Sequence, residues 1–143
     1  MRSFCVFAAL LHVADAGAQS PVQQHGALSV AGNRITDCSG SSVSLAGMSL
    51  FWSNTGWGGE AFYNAGAVQS LRNDWGIAVV RAALGAEDPG GYLPDPSHTA
   101  KVEAVVNAAI QEGLYVIIDW HSHHAEMYET EAINFFTDMA TQF

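Results

Sequence analysis

The sequence predicts an α/β fold built on parallel strands, and three observations carry that prediction. Apolar runs at residues 43–50, 78–84 and 115–119 recur at intervals of roughly 35 residues, the spacing of strand–helix repeats. Each is followed by a segment whose apolar residues fall at helical spacing. The runs are continuous rather than alternating, as a parallel sheet covered on both faces requires. Two architectures compete: a doubly wound sheet, and a (β/α)8 barrel, which needs about 250 residues. No G-x-G-x-x-G opens any of the helices, which weighs against a nucleotide-binding version of the first.

In chain order, Met1-Arg2-Ser3 leads into an apolar stretch at residues 4–11 and then into Ala16-Gly17-Ala18. That order of charge, short apolar core and small residues reads as an export leader over residues 1–18, interrupted by His12 and Asp15, and it places the protein outside the cell. A core helix is the competing reading, and the run is too short to span a bilayer. After a polar stretch, Leu28-Ser-Val30 and Arg34-Ile-Thr36 flank Ala31-Gly32-Asn33 as a hairpin, and Ser39-Gly40-Ser41-Ser42 turns the chain toward a third strand.

The first unit then joins a strand at residues 43–50 to a helix carrying Val68, Leu71 and Trp75, with Asn64 as N-cap and Asp74-Trp75-Gly76 as its close. In the second, Ala78-Val-Val-Arg-Ala-Ala-Leu84 precedes a helix with Val102, Val105, Val106, Ala109 and Ile110 on one face and Gly113 as its stop. The third begins with the strand at residues 115–119, and its helix presents Ala132, Phe135, Phe136, Met139 and Phe143. That face is still apolar at Phe143, with no C-cap glycine or basic last turn, so residues 19–143 read as an incomplete domain, the N-terminal part of something longer.

Composition excludes several roles. Of the 143 residues 49% are apolar and 13% charged, the mark of a globular chain rather than a disordered one. Five basic residues against fourteen acidic ones give a formal charge of −9, and no basic cluster exists to follow a phosphate backbone, which argues against nucleic acid. Nothing indicates a membrane span. Cys5 and Cys38 cannot make a disulfide framework or a four-cysteine zinc site.

Chemistry concentrates at the C-terminal ends of the strands, which in βα architectures form the active-site face. Trp52 and Trp57 stand in a glycine-containing loop after the first strand, where exposed indoles need a flat partner such as a pyranose face unless they fold back onto the rim. Arg81 lies inside the second apolar strand and must meet an anion or carbonyl, with Asp119 on the neighbouring strand as a structural partner. A catalytic carboxylate held ionised by Arg81 is the other possibility. Tyr115-Val-Ile-Ile-Asp-Trp-His-Ser-His-His124 offers two readings. His121 and His123 could hold a divalent metal with Asp119 or Glu126. Alternatively His121 alone faces the site, with His123 and His124 in the loop; the lack of a second ligand cluster favours this one.

Gly47-Met-Ser-Leu-Phe-Trp-Ser53, Trp75-Gly76 leading to Val80-Arg-Ala-Ala83, Gly90-Gly-Tyr-Leu93 with Asp95-Pro96, and Tyr115-Val-Ile-Ile-Asp-Trp-His121 together resemble the N-terminal third to half of family 5 glycoside hydrolase cellulases. The resemblance covers about residues 28–143. It implies the (β/α)8 barrel and a retaining endo-β-1,4-glucanase that uses two glutamates, no metal and no cofactor, acting as a monomer on β-1,4-glucan or cello-oligosaccharides. It further implies that Arg81 hydrogen-bonds the nucleophile, that His121 lies beside the sugar at the cleavage point, that Trp52 and Trp57 stack on sugars, and that Tyr92 lines or supports the groove. The family's Asn-Glu-Pro motif and its nucleophile motif are absent, so both catalytic glutamates are expected beyond residue 143. Glu126, Glu129 and Glu131 are not candidates, because they fall where acidic residues favour a helix start. A binding remnant without catalysis, and the metal-dependent hydrolase built on His121 and His123, are the alternatives.

Overall fold

The computed structural model describes residues 19–143; the expected leader, with Cys5 and His12, lies outside the described residues. The polar stretch after it is not a loop. Ser20 caps a one-turn helix α1 (Pro21–His25) through a reciprocal box in which its hydroxyl accepts from Gln23 N–H and the Gln23 side chain accepts from Ser20 N–H. Val22 N–H donates to Gly113 O at 3.0 Å and the Tyr115 hydroxyl donates to Gly26 O at 2.6 Å, which ties this segment to the N-terminal end of the sheet.

The hairpin forms as expected, with β1 (Ser29–Ala31) antiparallel to β2 (Arg34–Thr36). The expected third strand reduces to a single bridge between Thr36 and Ser42. Asp37 is the reason: its Oδ1 accepts from the N–H groups of Ser39 and Ser41 and from the Ser39 hydroxyl, winding the chain into a side-chain-held turn instead of a ladder.

Three parallel strands in the order β3 (Gly47–Ser49), β4 (Val79–Gly85) and β5 (Tyr115–His121) make the main sheet. Met48 pairs with Val80 and Val80 with Val116, so alternate residues share a face across all three strands. Val80, Ala82, Leu84, Val116, Ile118 and Trp120 turn toward the helices, and the first three are fully buried. β3 is shorter than the apolar run suggested, yet backbone bonds continue past both of its ends, from Ala78 N–H to Ala46 O and from Ser53 N–H to Ala83 O.

Helix α2 (Ala65–Trp75) starts where Asn64 accepts from Ala67 N–H at 3.0 Å, and it ends at Gly76 with φ 63°. Helix α3 (Thr99–Glu112) ends likewise at Gly113, φ 64°. Val102, Val105, Val106 and Ala109 bury the inner stripe of α3, each valine contributing about 1.5–3 kcal/mol of apolar transfer. Helix α4 (Glu129–Gln142) buries Phe135 and Met139, and Phe135 meets Tyr92 edge-on and Trp120 at a tilt of 49°.

Four residues assigned to these apolar faces are exposed: Trp75, Ile110, Phe136 and Phe143. Ile110 and Phe136 each follow a buried residue, and the 100° step to the next position carries them past the edge of the buried stripe. Trp75 closes α2, and Phe143 follows the last residue of α4. Among the described residues, no helix is long and apolar enough to cross a membrane.

Candidate active site

The face of the sheet away from the helices carries Ser49, Arg81 and Ile117 at one level, with Asp119 and His121 above them. β5 runs two residues beyond the expected Asp119, which places His121 within the strand and on the same face as Asp119. Arg81 leans along the sheet toward both: its Nη2 lies 2.6 Å from Asp119 Oδ2 and 2.7 Å from His121 Nδ1, while Nη1 donates to Ser49 Oγ at 2.9 Å. Asp119 Oδ2 and His121 Nδ1 are 2.9 Å apart. The three side chains are between 24% and 31% exposed, so these polar groups sit in a partly dry corner with one side open. Asp119 is thus the partner that the half-buried arginine needs.

Above this corner lies the loop after β3. Trp52 is buried, not open: its indole stacks on Trp57 at 5.3 Å and 18°, meets the His121 ring edge-on at 4.4 Å, and lies 4.8 Å from the His123 ring. Folding back against Trp57 and the two histidines removes its apolar surface from water. Trp57 remains 41% exposed and forms the outer layer of the stack.

The loop is held from below. Lys101 of α3 donates to Ser53 O at 2.7 Å and to Thr55 Oγ1 at 2.9 Å, and burial lowers its ammonium from the ordinary lysine value. Asn54, fully buried, donates to Asp88 O and Pro89 O, joining this loop to the one after β4. Gly85 allows that contact, because a Cβ there would collide with the Asn54 side chain. Gly90, at φ 77°, similarly lets Thr55 N–H reach its carbonyl at 2.8 Å. The Tyr63 hydroxyl sits between Phe51 O and Ala83 O, 2.7 Å from each, and burial pushes its ionisation far above the ordinary phenol range.

The structure brings Arg81, His121, Trp52 and Trp57 together and leaves Tyr92 apart. Tyr92 packs against Trp120 and Phe135 on the helix side of the sheet, a supporting position. His121 and His123 do not form one ligand set. His121 directs Nδ1 to Asp119 and Arg81, whereas His123 groups with Glu87 and Asp88, whose three ligand atoms lie within 4.8 Å of one another. Backbone geometry makes this split: within an extended strand His121 keeps the inner face, and the chain leaves the strand before His123. Glu126 lies in a 3-10 turn, and Glu129 and Glu131 in the first turn of α4, all exposed. Among the described residues, no glutamate hydrogen-bonds Arg81 or His121.

Ser49, Lys101, Asn54 and Tyr63 were not singled out from sequence. A buried tyrosine and asparagine flanking a glycine-rich loop carry no periodic signal, and Lys101 looks like any exposed helix position.

Residues 36–143 match the family model described as cellulase, glycosyl hydrolase family 5. The chain belongs to this family. It is 55% identical over 117 residues to endoglucanase Z of Dickeya dadantii, covering 81% of this chain and 27% of that protein. Endoglucanase N of Pectobacterium atrosepticum is 39% identical over 125 residues, covering 85% of this chain and 27% of the relative. Among solved structures, one from Cytophaga hutchinsonii superposes with a TM-score of 0.80 at 48% identity, covering 87% of this chain and 40% of that one. The catalytic domain of Thermobifida fusca endoglucanase Cel5A superposes with a TM-score of 0.79 at 26% identity, covering 87% and 41%. A variant of that domain has been solved in complex with cellotetraose. The chain therefore spans about a quarter of the length of these curated relatives and two fifths of these structures. Its three βα units and N-terminal hairpin are the N-terminal part of the family's (β/α)8 barrel.

Proposed function

We propose that this chain forms one wall of the cleft of a secreted, monomeric endo-β-1,4-glucanase that cleaves with retention. The observation that carries the reading is the grouping of Trp57, Trp52 and His121 at the C-terminal ends of parallel strands, with the Arg81 side chain reaching up to His121 from within β4. An exposed indole backed by a second indole offers a rigid apolar plate to a pyranose face, and the partly dry histidine–arginine–aspartate corner beside it offers hydrogen bonds to hydroxyls. Trp57 is the contacting plate and Trp52 its support, because the faces of Trp52 are already occupied. The cellotetraose complex of the Thermobifida fusca relative supports a cello-oligosaccharide as the ligand.

Retention requires two carboxyl groups about 5–5.5 Å apart across the scissile bond. The only carboxylate joined to Arg81 among the described residues is Asp119, itself held by His121 and Arg81. The two catalytic glutamates are therefore assigned to the remaining strands of the complete barrel, where Arg81 would orient the nucleophile. Export is supported by the charged, apolar and small-residue order of residues 1–18.

Titration of the purified chain with cellotetraose, followed by tryptophan fluorescence, tests the reading. Saturable quenching that is lost in Trp57→Ala, with no release of reducing sugar, is expected. Binding indifferent to Trp57, no binding, or hydrolysis by this chain alone would each overturn it.

A further inference from the structure

We infer that Asp119 is a positioning residue that fixes the tautomer of His121, so that the imidazole presents a bare Nε2, a hydrogen-bond acceptor, to a sugar hydroxyl. The problem it solves is visible at one atom. His121 Nδ1 lies 2.7 Å from Arg81 Nη2 and 2.9 Å from Asp119 Oδ2. A guanidinium nitrogen only donates and a carboxylate oxygen only accepts, whereas one nitrogen of a neutral imidazole carries either a proton or a lone pair. Nδ1 can therefore satisfy one neighbour and must meet the other with like polarity.

The carboxylate wins on the available partners. Arg81 does not need Nδ1, because Nη2 already reaches Asp119 Oδ2 at 2.6 Å and Nη1 reaches Ser49 Oγ at 2.9 Å. A bare Nδ1 would set its lone pair against an anionic oxygen, while a protonated Nδ1 makes a charge-assisted bond to it. Asp119 Oδ2 also lies between the two donors and offsets their mutual repulsion. Edge-on packing of the His121 ring with Trp52, at 87°, holds the imidazole plane. Among the described residues Nε2 makes no hydrogen bond, which leaves its lone pair for a ligand. Removing Asp119 would leave Arg81 as the neighbour of Nδ1; the proton would move to Nε2, and the ring would face the cleft as a donor. Asp119 thus sets which half of a hydroxyl His121 can bind. The identity of the hydroxyl rests on the glucan reading; the tautomer does not.

The test is a long-range 1H–15N correlation spectrum of this chain without sugar, at about pH 8, where an ordinary histidine is neutral. The His121 resonances are assigned by their absence in His121→Asn. The parent should show a protonated Nδ1 and a bare Nε2, and Asp119→Ala should shift the Nε2 resonance into the protonated region. A protonated Nε2 in the parent overturns the inference, as does an unchanged tautomer in folded Asp119→Ala. If Asp119→Ala fails to fold, the parent spectrum decides alone. Should the tautomers behave as stated while cellotetraose fails to bind, the glucan reading falls and the role of Asp119 stands.

Discussion

Gly85→Ala tests whether the floor of the candidate site is as tightly closed as its geometry indicates. A methyl group at residue 85 would overlap Asn54 Oδ1 and stand 2.6 Å from Asn54 Cγ. Asn54 is fully buried and has nowhere to retreat without giving up its bonds to Asp88 O and Pro89 O, both 3.3 Å. Overpacking costs about 1–3 kcal/mol and each lost hydrogen bond about 1 kcal/mol, so the variant should be destabilised by about 3–5 kcal/mol. At roughly 2 °C or more per kcal/mol, the thermal midpoint falls by at least about 6 °C. Urea unfolding followed by tryptophan emission measures the difference from the midpoint and slope. A control separates collision from backbone effects: with Asn54→Ala already in place, the added methyl enters vacated space, so the double variant should be no less stable than Asn54→Ala alone. A single variant within about 1 kcal/mol of the parent, or strictly additive losses, would refute the reasoning.

Three further outcomes are expected. Phe135→Ala, which removes the ring packed against Tyr92, Trp120 and Phe136, should cost about 3–5 kcal/mol by urea titration. Asn64→Ala should cost about 1 kcal/mol, because the Ala67 N–H loses its cap, and circular dichroism should show α2 fraying. Burial pushes the Glu87 carboxyl up, but the Ser122 hydroxyl and the backbone N–H groups around His123 together outweigh it and leave its pKa below the ordinary 4.5. A carboxyl depressed on folding stabilises the protein above its unfolded pKa, and that contribution disappears as pH falls through the folded value. The gap in urea midpoint between the parent and Glu87→Gln should therefore be widest at neutral pH and close below about pH 4.5; a constant gap would refute it.

The repeating units were legible because burial is periodic. Val102, Val105, Val106 and Ala109 announce α3 by spacing alone, and the charge of Arg81 in an apolar strand announces a buried partner. Periodicity could not say which of two adjacent apolar residues wins the core, hence the exposure of Ile110 and Phe136. It also could not see bonds made by side chains to the backbone. Asp37 holds the expected turn so that only a single bridge of the expected third strand forms after it, and Ser20 makes a helix from a polar stretch, through contacts that leave no hydrophobic trace. At the site, the strand-end rule located His121, and a charge inside an apolar run located Arg81. The burial of Trp52 and the support role of Tyr92 depend on tertiary packing that no local window contains.

Strand β5 has a consequence for how such a protein can vary. Its seven residues alternate Tyr115, Ile117, Asp119 and His121 on one face with Val116, Ile118 and Trp120 on the other. A one-residue slip would send Trp120 into the polar corner and Asp119 and His121 into the oily layer under the helices. Folding quality control and selection on the polar corner therefore inspect the same seven letters, and an error in register fails both examinations at once. The loop that follows the strand carries no such two-faced alternation.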